Sequence, residues 1–315
     1  MNLPDLQQLA DDILSHARIK GASSAEVTLR QDTGLSATAR MGDVETLEYH
    51  QGRRANVTLY CGQGKGSASS SDFAPGALQE TVAAAAAIAR YTAEDEYAGL
   101  ADADRMVDDI ADLELDHPWE LTPEEAIGLA IECENTARGA DARIVNSEGA
   151  SVASFRTAHC YANTHGFAGG YYSTRHRITC SVVGELEGAM QRDYWYSVAR
   201  SQQQLEPPQK VGEIAAQRTL LRLGATRIST RTAPVIFAAE VARGLLGHFS
   251  AAIAGQALYR KSSFLLDHLG KQVFPRSVRI HEQPHLKAQL GSAPFDREGV
   301  ATQTREIVSD GVLQG

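Results

Sequence analysis

The stretch from residue 143 to residue 200 constrains the fold more than any other part of the sequence. It is rich in Val, Thr, Tyr and Ser, types that favour strands. Glycines interrupt it at short intervals, at Gly149, Gly166, Gly169, Gly170, Gly184 and Gly188. Closely spaced glycines are typical of tight turns between strands. The stretch therefore predicts several antiparallel hairpins in the middle of the chain.

Helices are predicted from apolar periodicity and from start and stop signals. Leucines and isoleucines between Leu3 and Leu14 recur mostly at three- and four-residue steps, in a helix expected to end near Gly21. Thr122 followed by Pro123 and two glutamates is a strong helix start, and that helix should run to about Arg138. Further helices are predicted at Pro75–Tyr91, with Asp72 as its cap, and at Val211–Leu223.

Short strands are predicted where apolar and polar residues alternate between glycines. These segments are residues 25–30, 35–40, 44–49 and 56–61, separated by Gly34, Gly42 and Gly52. Near the C-terminus, Asp310-Gly311 is a hairpin-turn signal between a strand at 306–309 and a return strand at 312–314. So short a return strand has little to pair with, and we expect the chain to be part of a longer protein.

These elements predict an α+β fold in three regions. An N-terminal α+β domain with a small antiparallel sheet should occupy residues 1–112, and the acidic stretch 92–118 reads as a linker. A helix and the antiparallel hairpins should fill residues 113–230. Residues 231–315 should begin a β-rich C-terminal domain that is incomplete here.

The composition excludes several classes of function. The 30 basic and 39 acidic residues give a net charge of −9, without the clustered basic residues that nucleic-acid surfaces need. No segment approaches the about 20 apolar residues of a membrane span. Residues 1–20 lack the positive start and the unbroken apolar run that a signal peptide needs. The four cysteines are scattered, which is typical of reduced thiols. We expect a cytoplasmic protein that binds neither nucleic acid nor membrane.

One literal metal motif is present. His281-Glu282-Gln283-Pro284-His285 spells H-E-x-x-H, which binds zinc when a helix places both histidines on one face. Pro284 removes a backbone donor and disfavours helical dihedrals at Gln283. The residues before the motif alternate like a strand. The sequence therefore favours a surface loop, and a zinc peptidase that uses His281, Glu282 and His285 is the alternative hypothesis.

Two other motifs have weaker functional interpretations. Residues 62–67 are glycine-rich but lack the spacing of a phosphate-binding P-loop, so a connection between strands is the better interpretation. Ser173-Thr174-Arg175-His176 offers donors and hydroxyls that could bind an anionic group. An exposed face of a strand explains the same four residues.

An ordered series of motifs resembles the PmbA (TldE) branch of the TldD/PmbA metallopeptidase family. The series covers nearly the whole chain. Its members are residues 64–70, Asn163-Thr164-His165-Gly166, Ser173–His176, Pro234–Phe237 with Gly247-His248, Ile253-Ala254-Gly255, Tyr259–Ser262, Phe264–Asp267 and Pro294–Gly299. The resemblance implies a cytosolic metallopeptidase built from two related subunits, which degrades or processes unfolded or leader-bearing peptides.

In the TldD-like subunit of this family, a helix carries H-E-x-x-x-H, with two zinc ligands and a catalytic glutamate. The matching segment here resembles residues 243–248, where Arg243 and Gly244 replace the first ligand and the acid, and only His248 remains. A catalytic zinc needs three protein ligands and a general base, and a guanidinium repels a divalent ion. The resemblance thus implies no metal in this chain and zinc in a TldD-like partner.

The leading hypothesis is therefore a subunit without the metal, which helps to enclose a chamber and to grip an extended peptide. Candidate chamber or substrate residues are Arg175, His176, Arg243 and His248, and the strand-rich segment 163–176 is the candidate surface. Besides the zinc-peptidase alternative, a scaffold module without a proteolytic role remains open.

Overall fold

A six-stranded antiparallel sheet is the main element of the computed structural model, which describes residues 1–314. Its strands follow the spatial order β3-β2-β1-β4-β5-β6. They are β1 Ser24–Arg40, β2 Asp43–Cys61, β3 Gly64–Ser70, β4 Ile144–Asn163, β5 Ala168–Leu186 and β6 Ala189–Ala199. Four helices accompany them, α1 Leu3–Ile19, α2 Pro75–Tyr91, α3 Pro123–Gly139 and α4 Pro208–Leu221. The predicted α+β class and the antiparallel hairpins of the middle region are confirmed.

The strands are longer than the sequence predicts. The expected breaks at Gly34 and Gly52 are wrong, because both glycines lie inside continuous strands, β1 and β2. Gly34 is needed there for space rather than for a turn. A Cβ at Gly34 would lie 2.6 Å from the carbonyl oxygen of Ser154 and would overlap the ring of Phe155. Gly42 does mark a turn, with φ of 87°.

All four helices pack on one face of the sheet. One buried cluster joins α1 and α2 to apolar residues of β1, β2 and β4. A second joins α3 and α4 to β4 and β5. The predicted caps fit α3, where Thr122 and Glu125 form a reciprocal capping box. The predicted cap of α2 is wrong: Asp72 accepts a hydrogen bond from the N–H of Ala74, which is itself the N-cap residue.

Helix α2 lies directly on the glycine-rich segment 62–67, which leaves no room for larger side chains at Gly64 and Gly66. Gly64 and Gly66 belong to the edge strand β3, and a Cβ on either would overlap backbone atoms of α2, at Ala89 and Ala85. Small residues on both partners allow this close approach. The alanine-rich sequence of α2 is thus matched to the glycines of β3, which gives these glycines a structural role. The predicted connection between strands is wrong for residues 64–67, because they belong to β3 itself.

The first two predicted regions contribute to one sheet. Strand β1, from the region 1–112, pairs along its length with β4, from the region 113–230. The compact unit that results comprises residues 1–225 together with 284–302. The predicted linker includes the buried side chains of Leu113 and Leu115, and it pairs with residues near 300. The carbonyl oxygen of Leu115 also accepts from the N–H of Thr174 on β5 at 2.9 Å, so this segment is an ordered part of the unit.

A second unit comprises residues 226–283 and 303–314 of the described chain. It contains helices α5 Ala239–Ile253 and α6 Gly255–Tyr259 and strands β7 Ile280–Glu282, β8 Arg305–Ser309 and β9 Val312–Leu313. The predicted Asp310-Gly311 hairpin is confirmed, with φ of 49° and 79°. The buried core of the second unit consists of Phe249, Leu265, Ile307, Val308 and Leu313. No described helix is long and apolar enough to cross a membrane.

A buried carboxylate fixes the hairpin between β1 and β2. Met41 and Gly42 both have left-handed backbone conformations at this turn. Their N–H groups donate to the two carboxylate oxygens of Glu134 on α3, at 2.7 and 2.8 Å. Glu134 is fully buried, so both bonds are shielded from water. Hydrogen bonds from neutral donors to a buried charge are among the stronger ones in proteins.

We expect Glu134→Gln to lower the free energy of unfolding by about 2 kcal/mol, because an amide can accept only one of the two backbone hydrogen bonds. Urea unfolding followed by circular dichroism measures this change. The matched control is Glu124→Gln on the exposed first turn of the same helix, which should change stability by less than about 0.5 kcal/mol. Equal effects of the two substitutions would contradict the role of Glu134.

Gly66→Ala should destabilise the protein by about 3 kcal/mol, because the added methyl group displaces α2 from β3. Gly128→Ala is the control, since Gly128 lies inside α3 with no atom within 4 Å of an added Cβ. It should stabilise by about 0.5–1 kcal/mol through helix propensity. Thermal or urea unfolding of both variants would test the close approach, and a neutral Gly66→Ala would refute it.

Candidate functional site

The two neighbouring candidates Arg175 and His176 lie on opposite faces of β5. His176 faces the helices and is fully buried. Arg175 is exposed on the other face, which none of α1 to α4 covers. We call the side of the sheet that carries Arg175 the open face. Strand geometry sends consecutive side chains to opposite sides, so the pair cannot act as one site.

His176 is held by structural contacts on the helix side. Its Nδ1 lies 3.0 Å from the Ser154 hydroxyl and its Nε2 lies 2.9 Å from the carbonyl oxygen of His117. The ring of Trp119 meets it edge-on, with centroids 5.5 Å apart. Burial lowers the pKa of His176, which favours the neutral ring. His176 thus links the segment around residue 117 to the sheet and is not accessible to a ligand.

The open face carries polar side chains at alternate positions of β1, β4 and β5. In register, Arg30 is opposite His159, and Asp32 is opposite Thr157, which is opposite Ser173. Asp32 accepts from the guanidinium of Arg30 at 2.8 Å and from the hydroxyl of Thr157 at 2.6 Å. These bonds lower the pKa of the Asp32 carboxyl despite its partial burial.

His159 lies at the centre of this polar group. Its Nε2 is 3.4 Å from the hydroxyl of Ser173, and its ring stacks on Tyr171 with centroids 5.0 Å apart. Burial, and then the nearby Arg30, lower the pKa of His159 to about 4, while Asp32 opposes the shift. His159 is therefore neutral at pH 7 and can donate or accept one hydrogen bond.

A second polar group closes one end of the open face and unites two of the sequence motifs. Glu26 accepts from the hydroxyls of Tyr161, at 2.9 Å, and Tyr60, at 3.3 Å. Burial, and then Glu26, raise the pKa of Glu298. Thus residues 294–299 meet the strand that ends at Asn163. Asn163 itself accepts from the N–H groups of His165 and Phe167 and so shapes the turn between β4 and β5.

Arg243 and His248 lie on α5 in the second unit, as the sequence predicts for a helix. Both side chains are exposed. Five residues at 100° per residue leave the two side chains about 140° apart around the helix axis. With a guanidinium at one position and no side chain at Gly244, these residues do not fit a zinc ion.

The H-E-x-x-H sequence is not helical. His281 and Glu282 belong to strand β7, where consecutive side chains diverge. His281 pairs with Glu306 at 3.3 Å and Glu282 with Arg305 at 2.6 Å, while Nε2 of His285 lies 2.8 Å from the Thr302 hydroxyl. Among residues 1–314, no group of three His, Cys, Asp or Glu side chains is arranged to hold a metal ion. The geometry by which this motif binds zinc is therefore not formed.

The polar group of Arg30, Asp32, His159 and Ser173 was not identified from the sequence. The alternation at residues 25–30 already indicated a polar face on β1. The break expected at Gly34 hid its continuation, and the partner strands could not be assigned without the register.

Comparison with known proteins identifies the family of the chain. Three models of the PmbA/TldA metallopeptidase match the chain in order, domain 1 at residues 25–89, the central domain at 116–223 and the C-terminal domain at 230–315. The chain belongs to the PmbA/TldD metallopeptidase family. It is 48% identical to the metalloprotease PmbA of Escherichia coli O157:H7 and 47% identical to a PmbA homolog of Haemophilus influenzae. These alignments cover 93% and 94% of the chain.

The chain spans 65% of the length of each of these two family members. A crystal structure from Bacteroides thetaiotaomicron, named as a candidate modulator of DNA gyrase, matches 98% of this chain and 71% of its own, with a TM-score of 0.89 and 27% identity. The first two matched domains share one sheet, since β1 of domain 1 pairs with β4 of the central domain.

Because His159 is buried, it should become protonated at a lower pH in the folded protein than in the unfolded chain. The unfolded chain protonates near the ordinary value of 6.5 and the folded protein near 4, so the unfolded state binds more protons between these values. The contribution of His159 to the free energy of unfolding is therefore fully present above pH 6.5 and falls as the pH drops towards 4. Histidine NMR resonances, assigned with His159→Gln, should show a midpoint near 4, and a midpoint near 6.5 would contradict the burial. The variant should also lose less stability than the parent protein between pH 7 and pH 4.5.

Proposed function

We propose that this chain is the subunit of a two-component PmbA/TldD metallopeptidase that does not hold the catalytic metal. A TldD-like subunit would supply the zinc and the general base. This chain would help to enclose the chamber and to grip an extended peptide. Unfolded or leader-bearing peptides in the cytoplasm are the proposed substrates.

The observation that carries the proposal is the composition of helix α5. A metallopeptidase helix needs imidazole and carboxylate groups at the positions taken here by Arg243 and Gly244. A permanent cation at a ligand position disfavours a divalent ion, and without the acid no side chain at that place can take a proton from a metal-bound water. The exposed Arg243 and His248 remain candidates for contact with substrate or partner.

The sheet offers a suitable surface for an extended peptide. Residues 168–175 of β5 pair with β4 but extend past the end of β6, whose pairing with β5 begins at His176. On the edge away from β4, Thr174 is already occupied: its N–H donates to the carbonyl oxygen of Leu115 and its carbonyl oxygen accepts from Arg200, both at 2.9 Å. Among the described residues, the part of this edge at 168–173 has no strand beside it. An extended peptide can bind such an edge through backbone hydrogen bonds, which tolerates varied side chains. This segment lies within the candidate surface 163–176.

The proposal is tested by metal content and by dependence on a partner. The protein purified alone should contain close to no zinc by mass spectrometry and should not cleave an unfolded peptide. Cleavage should appear when a TldD-like subunit from the same organism is added. Arg175→Ala should reduce that cleavage several-fold with little loss of stability, because the side chain is exposed.

Glu282→Gln separates this proposal from the alternative zinc peptidase. Glu282 pairs with Arg305 on the surface, so its loss should leave partner-dependent cleavage unchanged. Stoichiometric zinc in the lone protein, together with activity that Glu282→Gln abolishes, would overturn the proposal. Absence of cleavage with every TldD-like partner would favour a scaffold without a proteolytic role.

A further inference from the structure

A set of exposed arginines lies on the open face of the sheet, although the chain as a whole has a net charge of −9. Arg54 on β2 is opposite Arg30 on β1, and Arg175 and Arg177 stand at alternate positions of β5. The pairing of Phe155 with Arg175 and of Gly34 with Phe155 puts them on the same side as Arg30 and Asp32. We call Arg54, Arg175 and Arg177 the arginine set.

The arginine set has no carboxylate partner within residues 1–314. Of the neighbouring cations, Arg30 is neutralised by Asp32 at 2.8 Å. Arg177 lies over the ring of Tyr196, 5.6 Å from its centroid, a contact that holds the side chain without compensating its charge. Other carboxylates on this face have partners of their own: Glu48 lies beside His50, Glu26 accepts from two tyrosines, and Glu148 pairs with Arg192. The middle of the open face is therefore positively charged and unpaired.

The spacing of the set matches an extended peptide. Arg175 and Arg177 are two residues apart on one strand, so their Cα atoms are about 7 Å apart, as are alternate residues of an extended ligand. Arg54 lies three strands away from β5, about 14 Å across the sheet. Its register aligns it with Tyr171, which is four residues, or about 13 Å, along β5 from Arg175. The Cα atoms of Arg54 and Arg175 are therefore about 20 Å apart, near the separation of residues six apart in such a ligand. Guanidinium groups bind carboxylates through two parallel hydrogen bonds.

We propose that the open face binds acidic segments of peptides, whose Asp and Glu side chains pair with Arg54, Arg175 and Arg177. This inference rests on the proposed function, and it names the class of peptide that the subunit would select. Peptides rich in alternating carboxylates would bind more tightly and would be delivered more efficiently to the partner's catalytic centre.

Direct binding tests the inference without requiring catalysis. The probes are fluorescent 12-residue peptides in which Glu, Gln or Lys alternates with Ser, measured by anisotropy with the protein alone and with its TldD-like complex. The Glu peptide should bind at least about tenfold more tightly than the Gln peptide, and the Lys peptide should not bind measurably. Raising the salt from 50 to 300 mM should weaken binding of the Glu peptide, because exposed charges are screened.

Charge reversal locates the site. Arg175→Glu and Arg54→Glu should each weaken binding of the Glu peptide by about fivefold or more. Arg175→Lys should have a smaller effect, because lysine keeps the positive charge but cannot donate two parallel hydrogen bonds to one carboxylate. The matched control is Arg18→Glu, an exposed residue of α1 on the helix side, which changes the net charge equally. Equal weakening by Arg18→Glu, or equal affinity for the Glu and Gln peptides, would refute the inference.

Two further outcomes are decisive. Tighter binding of a single-stranded DNA oligonucleotide than of the Glu peptide, lost in Arg175→Glu, would assign the face to nucleic acid and overturn the peptide assignment. With the complex, Arg175→Glu should lower kcat/KM for the Glu peptide and spare the Gln peptide. If neither peptide is cleaved by the parent complex, the proposed function fails, while the binding measurements still decide the role of the arginine set.

Discussion

The alternation of side chains along β1 is the constraint on which the rest of the structure depends. β1 is central in the sheet and pairs with β2 on one side and β4 on the other. Its odd-numbered residues from Ala25 to Ala39 are mainly small and apolar and support the helices, whereas its even-numbered residues form the open face. A shift by one residue would exchange the two sets, which fixes the register of the whole sheet.

The open face and the helix side have different physical roles. On the helix side, close packing requires small residues, as where α2 lies on Gly64 and Gly66, and buried polar groups such as His176 and Glu134 have satisfied hydrogen bonds. On the open face, ionised groups remain near water, and the charges of the arginine set stay uncompensated. The helices support the sheet on one side, and the open face on the other side is charged. Such a rigidly supported, charged surface is suited to binding a ligand.

Membership of the PmbA/TldD family and the chemistry of α5 support the proposed division of labour between subunits. Where the family resemblance places the first zinc ligand and the catalytic acid, this chain has Arg243 and Gly244, yet the helix itself is retained. Retention of a helix without its ligands is expected if its packing or its contacts with another chain are still needed. The proposed contribution of this chain is then substrate binding, for which the sheet provides the edge at residues 168–173 and a charged face.

The sequence alone determined the class of the fold, the helix starts with strong caps, the hairpins of the middle region and the Asp310-Gly311 turn, because these depend on local propensity and on side-chain period. It also determined the family, through motifs that occur in order. The tertiary structure decided the continuity of β1 and β2 through Gly34 and Gly52, because pairing between the two strands continues at both positions. Gly34 in addition lies against Phe155, a residue distant in sequence. It likewise separated Arg175 from His176 and brought Arg30, Asp32, His159 and Ser173 together, since only strand register decides which residues share a face.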